Sequence, residues 1–112
     1  MKALCSFCMT LICLTMASAT MAGGHSSTAA SGQAVFETNC AKCHDSFLGR
    51  LSSGAPALGD KADWAPVVAK GVDGLTETTI AGIGEMEARG GCAECSDEEI
   101  RAAVEYLLAQ VQ

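Results

Sequence analysis

Cys40-Ala41-Lys42-Cys43-His44 is the stretch on which the fold of this 112-residue chain turns. Two thiols three residues apart can each add across one of the two vinyl groups of a heme. The histidine directly after the second thiol is then held beneath the iron with little freedom to swing away. Every fixed position of the pattern thus has a chemical reason, and the pattern is the attachment signature of a c-type heme. The competing reading is a CxxC metal or redox motif with a histidine beside it by chance.

Working outward to the start of the chain, Met1-Lys2 gives a short positive opening. Residues 3–16 are an apolar run broken only by Ser6, Thr10 and Thr15, and Ala17-Ser18-Ala19 supplies the small residues of a cleavage site, with Ala22 as a second option. These are the parts of a secretory signal peptide, expected over residues 1–22, which places the mature chain in the periplasm. An uncleaved anchor is the rival. The run is short against the roughly 20 apolar residues a span needs, and no charge cluster follows to stop transfer. Thr10-Leu11-Ile12 before Cys13 is not the small-residue approach of lipoprotein processing.

Export simplifies the cysteines. Of seven, Cys5, Cys8 and Cys13 leave with the signal, and Cys40, Cys43, Cys92 and Cys95 remain. Four is an even number for an oxidising compartment. The mature chain is one small domain, poor in aromatics (Phe36, Phe47, Trp64 and Tyr106), and marginal without a staple or a large buried cofactor. A covalent porphyrin would supply the missing apolar volume. Seven Lys and Arg face 13 Asp and Glu, and loss of Lys2 leaves a net charge near −7. That argues against nucleic acid as a partner and toward docking on basic surfaces.

Residues 23–30 carry small, Ser and Thr side chains without hydrophobic period and are expected to be a flexible N-terminal tail containing His25. The folded domain is expected over 31–112. A helix capped by Ser31 puts Val35 and Phe36 on a common side with Asn39 and Cys40 and delivers the thiols to the heme edge. Residues 48–56 contain the glycines and proline of an irregular loop. Short helices are expected over 63–70, with Pro66 in the first turn, and over 76–83. Ser96-Asp97-Glu98-Glu99 is a capping box, and Ile100, Ala103, Val104, Leu107, Leu108 and Val111 recur behind it at helical spacing. Nothing alternates like a strand, so the fold class is all-α.

A heme iron has a second axial position, which can take a methionine, a second histidine, or nothing. After cleavage the side chains that could fill it are His25 in the tail, Met86, and Met21 if the cut falls before it. Met86 is the expected sixth ligand. It stands in Gly84-Glu85-Met86-Glu87-Ala88-Arg89-Gly90-Gly91, off any apolar stripe and among charges, in a glycine-flanked segment able to cross the face opposite His44. Cys92-Ala93-Glu94-Cys95 is a second CxxC. A disulfide there would fix the end of the methionine segment, chiefly by local shape, since so short a loop gains little unfolded-state entropy. A catalytic dithiol would want a preceding strand.

Taken together these stretches resemble the class I c-type cytochromes, specifically the cytochrome c5 group, from about Ser31 to Val111. The matching features are Gly32 four residues before Phe36, the Cys40–His44 motif, Gly54-Ala55-Pro56 with Gly59-Asp60, Trp64 with Val67, and the run from Arg89-Gly90-Gly91-Cys92 to Cys95-Ser96-Asp97. The resemblance implies a small cytochrome c fold wrapped around one covalent heme c. It implies that Pro56 offers its carbonyl to the His44 ring N–H, and that Trp64 lies at the heme edge with its indole N–H reaching a propionate. It further places Phe36 and Tyr106 where the first and last helices cross. Ordinary core roles for Trp64 and Tyr106 remain open. Two features depart from the group: Glu87 follows the methionine where proline is usual, and residues 45–53 run longer than usual.

The function expected is that of a soluble monoheme electron carrier with His44 and Met86 on the iron, not an enzyme. Its partners would be redox proteins with basic docking patches, a membrane-bound oxidase or reductase among the classes that fit, and the chain itself a monomer or weak dimer. The alternative is an open-iron heme protein, a peroxidase or gas binder, for which Arg89 is the one candidate distal polar group. A zinc module on both CxxC pairs is the third reading, disfavoured by the long separation of the pairs. The identity of donor and acceptor and the redox potential are not encoded in any motif.

Overall fold

The computed structural model describes residues 24–112, so the expected signal peptide, 1–22, lies outside the described residues. Helix α1, Gly24–Val35, runs into a π-helical turn, Phe36–Cys40, and then into the single turn α2, Ala41–His44. Residues 24–30 are therefore helical, where a flexible tail was expected, and Ser31 lies inside α1 rather than capping it. Once a helix is nucleated, extension through Ala29 and Ala30 adds one hydrogen bond per residue fixed. The π turn was not anticipated. It admits one extra residue per turn, the Ala41 N–H reaching the Phe36 carbonyl. The heme motif is thereby rotated relative to Phe36, as such insertions do near functional sites.

Helix α3, Phe47–Ser53, occupies most of the segment expected to be irregular. The signals for it are local. Ser46 is extended and its hydroxyl accepts from the Gly49 N–H at 2.8 Å, forming an N-cap, and the Ser53 hydroxyl donates back to the Gly49 carbonyl at 2.7 Å. Gly49 lets α3 settle on α2, since a Cβ there would stand 2.8 Å from the Cys43 Cα.

Helix α4, Lys61–Val68, starts two residues ahead of expectation, which moves Pro66 from the first turn into the second. Helix α5, Gly71–Ala81, begins five residues earlier than the apolar pattern suggests. Its threonines hid the pattern: the hydroxyls of Thr76, Thr78 and Thr79 each bond a carbonyl four residues back and so fit inside a helix. Helix α6, Asp97–Val111, follows the sequence reading. Its capping box is complete, with the Glu99 N–H on the Ser96 hydroxyl and the Ser96 N–H on the Glu99 carboxylate at 2.8 Å. No strand forms among the described residues; an isolated bridge pairs Ile83 with Met86.

The core lies where α4, α5 and α6 meet and gathers Trp64, Leu75, Val104, Leu108 and Val111. On the other side α1 crosses α6 so closely that a Cβ on Gly32 would stand 2.6 Å from the Ala102 carbonyl carbon. Phe36 and Tyr106 meet at this crossing, ring centroids 5.4 Å apart and tilted by 50°, as the resemblance implied. The crossing fixes where the π turn, and hence Cys40, emerges.

Candidate heme site

A cavity of about 420 Å³ opens between the heme motif and the segment after α5. Cys40, Cys43 and His44 line one wall, Pro56 and its neighbours a second, and Ile83 to Glu87 the third. A narrower pocket lies among Phe36, Thr79 and Ile100. Cys40, His44 and Met86 border both spaces and Cys43 the larger one, so the expected anchors and the two expected ligands all line the larger cavity.

His44 is buried, and its Nδ1 lies 2.9 Å from the Pro56 carbonyl. A carbonyl only accepts, so Nδ1 carries the proton, and Nε2 keeps the lone pair a metal requires. A second bond, from the Leu58 N–H to the His44 carbonyl at 2.9 Å, ties the same two segments by their backbones. The Pro56 carbonyl and the His44 ring thus face each other at this junction.

Trp64 is buried, and its indole N–H donates to the Ala57 carbonyl at 2.7 Å. The physical reason is that segment 55–58 tucks consecutive carbonyls inward, and a buried indole with one proton takes the acceptor beside it. Its ring lies 5.5 Å from that of His44. Trp64 therefore braces the Pro56-Ala57 carbonyl pair while serving the core, a role with no sequence signature beyond the residue type.

Met86 is half-buried on the cavity wall. It closes a tight turn in which Ile83 and Met86 exchange backbone hydrogen bonds at 3.0 and 2.9 Å. Cys40 and Cys43 are free thiols. Burial pushes the Cys40 thiol up from its ordinary pKa, opposed by the nearby Lys42 charge and aided by Cys43. Cys92 and Cys95 form the expected disulfide, Cα atoms 5.4 Å apart. Ser96, not a histidine, follows that pair, so it is not a second attachment motif. With those sulfurs bonded to each other, four-cysteine zinc ligation is unavailable, and the described residues hold no cluster of three or more potential metal ligands among His, Cys, Asp and Glu. The donor set (two thiols, an imidazole with a free nitrogen, and a thioether around one void) fits an iron porphyrin attached through Cys40 and Cys43.

Fold and donor set define a class I c-type cytochrome. The chain belongs to the family described as "Cytochrome C oxidase, cbb3-type, subunit III", which matches residues 27–107. Its curated relatives include cytochrome c-555 of Chlorobaculum tepidum, 40% identical over 86 residues that make up 73% of this chain and 76% of that one. Cytochrome c5 of Azotobacter vinelandii is 40% identical, covering 68% of this chain and 89% of the relative. Among solved structures, a chain from an electron transfer complex of nitrite reductase with cytochrome c superposes with a TM-score of 0.64 and 36% identity, over 73% of this chain and 95% of that one. Members of the family carry covalent heme c, and this chain carries the motif for one.

Proposed function

We propose that the chain is an exported, periplasmic electron carrier whose iron is held between His44 and Met86. The observation that carries this reading is the placement of His44 and Met86 on the walls of a single cavity that both attachment cysteines also line. Heme c, when bound, supplies a one-electron couple. The chain supplies the rest. It anchors through Cys40 and Cys43, orients the His44 imidazole through Pro56, and offers a thioether on the facing wall.

The open-iron alternative needs a distal polar group, and Arg89 was the candidate. Its guanidinium is committed elsewhere, donating to the Cys95 carbonyl at 2.8 Å and the Asp97 carboxylate at 2.6 Å. That commitment favours the carrier. Export is supported by the N-terminal sequence and by a disulfide in a chain with two further thiols set aside for heme. No helix among the described residues is long and apolar enough to cross a membrane.

The partner would approach the cavity mouth. Beside it α3 exposes Phe47, Leu48 and Leu51, each about three-quarters accessible, and Ile83 adds a fourth apolar side chain. Four side chains fall short of the roughly 800 Å² per partner of a standard stable interface, and suit brief encounters with a redox protein. The relative seen in complex with nitrite reductase makes that class of enzyme a reasonable partner to try first. The acidic balance of the remaining surface would steer toward basic patches at low salt.

Carbon monoxide offered to the reduced protein tests the reading. A closed iron leaves the spectrum unchanged at neutral pH, whereas stoichiometric binding would transfer the assignment to an open-iron protein.

A further inference from the structure

The strap between Met86 and the disulfide has an unusual backbone. Arg89, Gly90 and Gly91 follow one another at φ of 59°, 60° and 83°, and Arg89 is the one non-glycine among the described residues with positive φ. Glycine adopts this region at no steric cost, but arginine does not. A side chain larger than glycine is therefore held there against its own preference, and its contacts say what for. The guanidinium forks. Nη1 donates to the Cys95 carbonyl and Nη2 to Asp97 in the first turn of α6. One side chain thus fastens the strap to the disulfide loop and to the capped end of the most secure helix.

The strap sits against the site. A Cβ built on Gly90, the residue after Arg89, would lie 3.7 Å from the Cys40 Sγ and 4.0 Å from the Met86 Cε. Any outward drift of Gly90 would open space behind both the anchoring sulfur and the methionine methyl. We propose that Arg89 is a positioning residue for the sixth ligand: its fork to Cys95 and Asp97 keeps the strap in register and Met86 on the iron. This rests on the His44 and Met86 reading above.

The test uses the oxidised holoprotein and imidazole as the competing ligand. Arg89→Gly removes the fork and relieves the backbone, so its fold is not burdened by the left-handed position. Asp97→Asn weakens one arm only, and Arg89→Lys keeps charge without the fork. Imidazole affinity should rise about tenfold or more in Arg89→Gly, the loss of roughly one charge-assisted hydrogen bond, and by a smaller factor in the other two. The far-red band of the methionine–iron bond should weaken in the same order. A lowered unfolding midpoint with imidazole affinity within about twofold of the parent in all three variants would overturn the proposal, leaving Arg89 only structural. A parent protein without the far-red band would overturn the Met86 ligation itself, and this inference with it.

Discussion

Replacing Gly32 by alanine sets two opposing effects against each other, and the structure decides which wins. In an exposed helix the change stabilises by about 1 kcal/mol, because alanine loses less backbone freedom. At this position α1 touches the backbone of α6. The added Cβ would lie 2.6 Å from the Ala102 carbonyl carbon, about 0.8 Å inside ordinary contact, and nearer still to its oxygen. Backbone cannot rotate away as a side chain can, so α1 must lift from α6 by most of an ångström. Overpacking of this kind costs about 1–3 kcal/mol, and rigid neighbours put it at the upper end. The net expectation is a loss of about 1–2 kcal/mol, or about 5–15 °C in Tm for a domain of this size. Thermal unfolding of the oxidised holoprotein, followed by circular dichroism, measures it. A second comparison sharpens the reasoning. Ala102→Gly removes only the 3.2 Å contact with the Ala102 side chain, so it should not rescue Gly32→Ala. A Gly32→Ala protein as stable as the parent, or one rescued by Ala102→Gly, would refute the backbone clash.

Other expectations follow from single features. Ser96→Ala removes the acceptor of the α6 capping box and should cost about 1 kcal/mol in chemical denaturation. Leu48→Ser with Leu51→Ser changes side chains about three-quarters exposed, so stability should move by less than about 0.5 kcal/mol. Reduction by a protein donor should slow several-fold, and reduction by ascorbate should not, in stopped-flow absorbance. Cys92→Ser with Cys95→Ser opens a loop of sequence separation 3, and the loop-entropy argument limits the loss to about 2 kcal/mol in urea unfolding.

The heme motif, the adjacent Cys92 and Cys95 pair and the whole of α6 were legible in the sequence because each depends on spacing or local chemistry, whereas the Pro56 carbonyl on His44 was only implied by the family resemblance. A capping box ahead of an apolar stripe needs no tertiary information. What escaped notice depended on neighbours. The glycines and proline of residues 48–56 read as loop, and the helix over 47–53 becomes evident only with the Ser46 cap. For Trp64 the sequence left a heme-edge role and an ordinary core role open, and its bond to the Ala57 carbonyl depends on where the fold places segment 55–58. The π turn at Phe36–Cys40 has no compositional mark. Arg89 was weighed as a distal group for an open iron, and its fork to Cys95 and Asp97 depends on a left-handed backbone that the residue type argues against.

The most direct test of the account is proton NMR of the reduced protein with its methionine methyl groups labelled with carbon-13. A methyl bonded through sulfur to the iron lies over the porphyrin face, where the ring current moves its resonance far upfield of every other methyl. The account predicts one such resonance, absent from Met86→Leu. All methionine methyls at ordinary positions, or an upfield resonance that survives Met86→Leu, would contradict it.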